Sequence, residues 1–130
     1  MSAPPDVETA IRELCTKDPR YGAGAYFFLL EALEFTMRML KRDSNEGAAR
    51  HVGGRELLEG IRQYAILQFG PLAPIVFESY GIRRTEDFGA LVFRLVEAGH
   101  LSRQEGDSVD DFADGYDFKE AFLYRNRVSE

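Results

Sequence analysis

The sequence predicts a mainly α-helical, compact single domain of about five to seven helices. Three observations carry this expectation. Residues 54–99 read as three helices in close succession, separated only by Gly70-Pro71 and by Gly81-Ile82-Arg83-Arg84. Residues 24–42 form a long apolar segment rich in helix-favouring residue types. The joints between segments are short. At 130 residues the chain is one domain, long enough to bury a core. Residues 1–5 read as a loose tail, 43–53 as the main loop and 101–120 as an acidic segment interleaved with aromatics. A small β-hairpin in that last segment, giving a winged-helix-like outline, is the alternative to further helix.

The first helix is expected over residues 6–17, with Val7, Ala10, Ile11 and Leu14 on one side. Asp18-Pro19 then makes a turn, because a residue before proline avoids helical angles. The second helix, over 24–42, is apolar nearly all round, with Glu31, Glu34, Arg38 and Lys41 marking a narrow wet edge. Such a helix is central in a core or packs on a second chain. The third starts near Gly54 and carries Leu57, Leu58, Ile61, Tyr64 and Ala65 in one stripe. Gly70 stops it, and Pro71 suits the first turn of a short fourth helix over 71–80 that ends at Gly81. The fifth starts with Thr85 as N-cap and buries Phe88, Leu91, Val92, Leu95 and Val96, with Gly99 as its stop. Gly89, inside that helix, predicts close approach of another helix.

Composition narrows the function. The formal charge of −6 disfavours nucleic acid and anionic membranes as partners, since both need a basic surface. No apolar run is long enough to span a bilayer, and residues 1–16 lack the pattern of a signal peptide. A single cysteine, Cys15, precludes an internal disulfide and fits a reducing cytoplasm, so a cytoplasmic protein is expected. Cys15 lies on the apolar side of its helix and reads as a small buried hydrophobe rather than a nucleophile.

Seven acids against two bases lie within residues 100–120, so most of the net charge is there. The run from Asp110 resembles an EF-hand loop only at Asp114-Gly115. Phe112 and Ala121 stand where two oxygen ligands are needed, which rules the loop out. Asp107, Asp110, Asp111, Asp114 and Asp117 therefore read as helix caps and a solvated face, or as a docking face for a basic protein partner. His51, Gly53, Gly54 and Arg55 form a candidate anion site, with backbone N–H groups at a helix start and an arginine alongside. No metal or cofactor is expected: the two histidines, His51 and His100, stand far apart with no cysteine pair or metal-binding helix motif. No catalytic set is discernible.

The runs RYGAGAYFFLLEALEFT and, from Arg50 to Phe122, RHVGGRELLEGIRQYAILQFGPLAPIVFESYGIRRTEDFGALVFRLVEAGHLSRQEGDSVDDFADGYDF are similar to a small family of conserved hypothetical proteins from Planctomycetes and Verrucomicrobia. The resemblance implies a bacterial cytoplasmic protein and carries no activity and no functional residues. The function expected is thus a non-enzymatic interaction or regulatory module using the acidic face, with a homodimer through residues 25–40. One alternative is a winged-helix-like regulator of DNA or a nucleoprotein, with Arg83 and Arg84 leading into the fifth helix. The other is a small enzyme with a site near His51 and Arg55.

Overall fold

The computed structural model describes residues 6–44, 52–101 and 109–122. Among them are six α-helices: α1 (Val7–Lys17), α2 (Ala23–Ser44), α3 (Gly54–Phe69), α4 (Ala73–Ser79), α5 (Thr85–Glu97) and α6 (Phe118–Ala121). Two 3-10 turns, Gly70–Leu72 and Val109–Phe112, complete the regular structure. The main loop lies largely outside the described residues, as do Asp107 and His51.

Local chemistry sets the boundaries. The Asp6 carboxylate accepts the Thr9 N–H at 2.8 Å and so caps α1. The expected fourth helix divides into the Gly70–Leu72 turn and α4, because Pro71 and Pro74 both withhold an N–H from the first turns. At the end of α5, Gly99 takes a φ of 85°, and the His100 N–H reaches back to the Leu95 carbonyl at 2.9 Å. That closure satisfies the last carbonyls of the helix.

The core is built round α2, which packs most extensively on α3 and also meets α1 and α5. The α2–α3 crossing is close. A side chain at Gly60 would overlap Thr36, and the buried Thr36 hydroxyl donates to the Ala32 carbonyl of its own helix at 2.7 Å. Phe77 of α4 forms the aromatic centre, with the rings of Phe28, Phe69, Phe88, Phe118 and Phe122 between 5.2 and 6.3 Å away. Edge-on pairs of this kind add about 0.5–1.5 kcal/mol each beyond burial.

The hairpin considered for the acidic segment is not formed among the described residues; instead the chain makes the Val109–Phe112 turn and the one-turn α6. The described backbone closes in local turns: the Ala113 N–H donates to the Asp110 carbonyl at 3.1 Å and the Ala121 N–H to the Asp117 carbonyl at 2.8 Å, while Phe112, Phe118 and Phe122 are buried. Residues 102–108 lie outside the described part.

Candidate functional site

The acidic segment crosses the starts of α3 and α5 as a strap, and one buried threonine ties it down. Thr85, 1% exposed in the first turn of α5, donates its hydroxyl to the Phe112 carbonyl at 2.6 Å. The same oxygen accepts the Gly115 N–H at 2.9 Å. Thr85 is therefore not the N-cap of α5. Arg84 holds that position, and the Asp87 carboxylate accepts the N–H groups of Arg83 and Arg84 at 2.8 and 3.2 Å.

Phe112 fills the space left by two glycines. A Cβ at Gly89 would lie 3.0 Å from its ring, and one at Gly54 would lie 3.2 Å from it and 2.6 Å from the Asp111 Cβ. The close approach expected at Gly89 is real, but its partner is this ring from the strap rather than one of the longer helices. Further along, the Asp114 N–H donates to Glu86 Oε2 at 3.2 Å, and the Tyr116 hydroxyl donates to the Leu58 carbonyl at 2.8 Å. Asp114 takes a φ of 52°, which aspartate and asparagine tolerate better than most residues. Asp117 caps α6 by accepting the Glu120 N–H at 3.2 Å. Burial holds the Tyr116 phenol protonated, well above its ordinary range.

The expected partner-face residues separate on this scaffold. Asp110, Asp114 and Asp117 are exposed, Asp111 is half-buried against the start of α3, and Asp107 lies outside the described residues. Among the described residues no group of three or more histidines, cysteines and carboxylates is placed to hold a metal ion.

The candidate anion site has the following geometry. The Gly53 N–H donates to Glu56 Oε1 at 3.1 Å, Gly54 is buried beneath Asp111, and Arg55 is exposed. The start of α3 is thus faced by carboxylates of the chain itself, which already answer the positive end of its dipole. His51 lies outside the described residues. The DNA reading asks α5 to present a basic face. Its exposed residues are Phe93 and Glu97, while Arg94 turns inward to pair with Asp18 and donates to the Tyr26 hydroxyl at 3.4 Å.

That inward arginine belongs to a polar cluster the sequence did not signal. The Tyr21 hydroxyl donates to Asp87 Oδ1 at 2.6 Å, and the guanidinium carbons of Arg20 and Arg94 lie 4.9 and 5.1 Å from the centre of its ring. Burial, and then the Asp87 charge, push the Tyr21 phenol up beyond its ordinary range. The Arg20 N–H, and then Arg94, hold Asp18 below its ordinary value. These partners satisfy one another, so the cluster clamps the α1–α2 turn onto α5. Cys15, expected to be buried, is half-buried: its Sγ lies 3.7 Å from the Tyr21 carbonyl, and desolvation raises its pKa.

Part of the apolar surface of residues 25–40, the stretch expected to form a homodimer, is used inside the chain. Ala25, Tyr26, Phe28, Leu29, Ala32 and Leu33 are buried within the chain, and the remaining apolar residues of that stretch are half-buried. Helices α1, α3 and α5 cover it. Among the described residues no helix is long and apolar enough to cross a membrane. No protein family, curated protein or solved structure matches the chain.

Proposed function

We propose that the chain is a non-enzymatic protein–protein interaction module that presents Asp110, Asp114 and Asp117 to a basic protein partner in the bacterial cytoplasm. The observation that supports this reading is the mounting of the strap. Its backbone is tied to Thr85 and Glu86, its Tyr116 hydroxyl to the Leu58 carbonyl, and its three phenylalanines are buried, so the exposed carboxylates sit on a fixed frame. A preorganised face loses little entropy when it binds. The reading needs no cofactor.

The strap's own geometry supplies a clean test. Asparagine caps helices about as well as aspartate and is at home at positive φ. The triple variant Asp110→Asn, Asp114→Asn, Asp117→Asn therefore removes three charges while keeping the α6 cap and the Asp114 turn. Affinity capture from a bacterial lysate is expected to recover a partner on the wild type and to lose it on the variant, with thermal stability unchanged. Capture unaffected by the variant would remove the acidic face from consideration.

A further inference from the structure

The strap carries a chemically reactive pair. Asp114-Gly115 is the only aspartate–glycine sequence in the chain, and there is no asparagine–glycine sequence. Packing requires the glycine: a Cβ at Gly115 would lie 2.6 Å from Leu58 Cδ1 and 3.2 Å from Thr85. Asp114 is exposed at a φ of 52°, and its carboxylate makes no hydrogen bond or ion pair with the described residues. Glycine has no side chain to block the approach, so its amide nitrogen can reach the preceding carboxyl carbon wherever the backbone rotates freely. Here it does not. Three consecutive residues are tied to the helices beneath: the Asp114 N–H to Glu86 Oε2 at 3.2 Å, the Gly115 N–H to Thr85 Oγ1 at 2.9 Å and the Tyr116 hydroxyl to the Leu58 carbonyl at 2.8 Å.

We infer that Asp114-Gly115 is a site of spontaneous aspartate isomerisation that the closed strap holds inert, so that the modification records strap opening. In the open strap the Gly115 nitrogen bonds to Asp114 Cγ, and the carboxyl's hydroxyl leaves with the amide proton as water. The cyclic imide so formed takes up water at the Asp114 backbone carbonyl carbon, breaking that carbon's bond to nitrogen. One water leaves and one returns, with no oxidant, reductant or other reactant. The chain then runs through Asp114 Cβ and Cγ and is longer by one methylene. That extra length carries Gly115 out of register with Thr85, and the strap no longer closes as before. In the closed strap the attacking nitrogen's hydrogen is held by the hydroxyl of a residue only 1% exposed, with the neighbouring residues fixed on both sides. Reaction therefore proceeds through the opened fraction, and its rate follows the free energy of local opening. The inference does not depend on the acidic face having a partner.

Ageing of the whole chain in neutral buffer tests it. Peptide mapping reads the product, which separates without change of mass and resists an aspartate-specific protease. The folded wild type is expected to isomerise at Asp114 at least about tenfold more slowly than the same chain unfolded in urea. Thr85→Val removes the partner of the Gly115 N–H. It is expected to speed the reaction about tenfold or more, a factor of ten for each ~1.4 kcal/mol lost from the closed strap. Thr85→Ser keeps the hydroxyl and is expected to stay within about fivefold of the wild type, the effect of its lost methyl. Tyr21→Phe loosens the α1–α2 turn rather than the strap and is expected to leave the rate unchanged. Asp114→Asn gives a second readout, because the same attack then expels ammonia and the mass changes. Its amide is expected to survive in the folded chain and to be lost in urea. A folded chain that reacts as fast as the unfolded one, at Asp114 or in the asparagine variant, overturns the inference. So does a folded Thr85→Val that reacts at the wild-type rate, or a Tyr21→Phe that matches its acceleration.

Discussion

Thr85 carries more of the strap than any other single side chain, through one hydroxyl that both donates and accepts. Its replacement by valine keeps the shape and leaves the Phe112 carbonyl and the Gly115 N–H without that partner. At about 1–3 kcal/mol for each unsatisfied buried group, Thr85→Val is expected to cost about 2–6 kcal/mol. Thr85→Ser keeps both bonds and loses one methyl, about 1 kcal/mol. Urea denaturation of the two variants checks the difference, and equal stabilities would mean that water replaces the bonds. The sequence placed Thr85 at the start of α5 but assigned it the wrong task. A threonine before a helix is read as a cap from its near neighbours, and nothing local reveals an acceptor 27 residues away. The same holds for Tyr21 and Asp87, whose bond spans 66 residues.

Among the elements, those whose boundaries depend on nearby residues were legible. Gly70, Gly81 and Gly99 stop their helices where the sequence indicated, and Asp117 caps α6. The long apolar helix over residues 24–42 was legible too, and its place at the centre of the core follows from being apolar nearly all round. What could not be read was the strap, because its path depends on where Phe112 finds room between Gly54 and Gly89. Removing that ring tests whether the strap is a unit. Phe112→Ala is expected to cost about 3–5 kcal/mol, as for other buried phenylalanines. The loss should be uneven. Amide exchange within residues 109–117 is expected to accelerate more than exchange at the α2–α3 crossing, where Gly60 meets Thr36. A uniform change over the whole chain would show that the strap and the helices open together.

At the scale of the molecule, the mainly helical class and the small single core were readable from helical spacing and short joints. The distribution of surface was not. Apolar content alone did not reveal which residues of α2 are buried inside the chain, or that Leu67, Leu72, Ile75 and Phe93 are the large apolar side chains left exposed among the described residues. The acidic residues likewise divide between caps, turns and display only once the strap is in place.

The phenols of Tyr21, which is buried, and Tyr116, which is half-buried, make the fold a proton reservoir. In the unfolded chain each ionises at its ordinary value near 10.0, while the folded chain holds both protons to higher pH. The folded state then binds more protons than the unfolded one, so stability must fall as pH rises through 10. Urea midpoints are expected to decline from there up to the higher folded pKa values, and Tyr21→Phe or Tyr116→Phe should flatten the decline. A midpoint that holds steady to pH 11 would mean that the phenols ionise in place. Asp18, Asp6 and Glu59 act with the opposite sign, since hydrogen bonds keep them below their ordinary values and their contribution is lost as pH falls. On its alkaline side the fold is therefore opposed by two phenols whose protons it holds above their ordinary range.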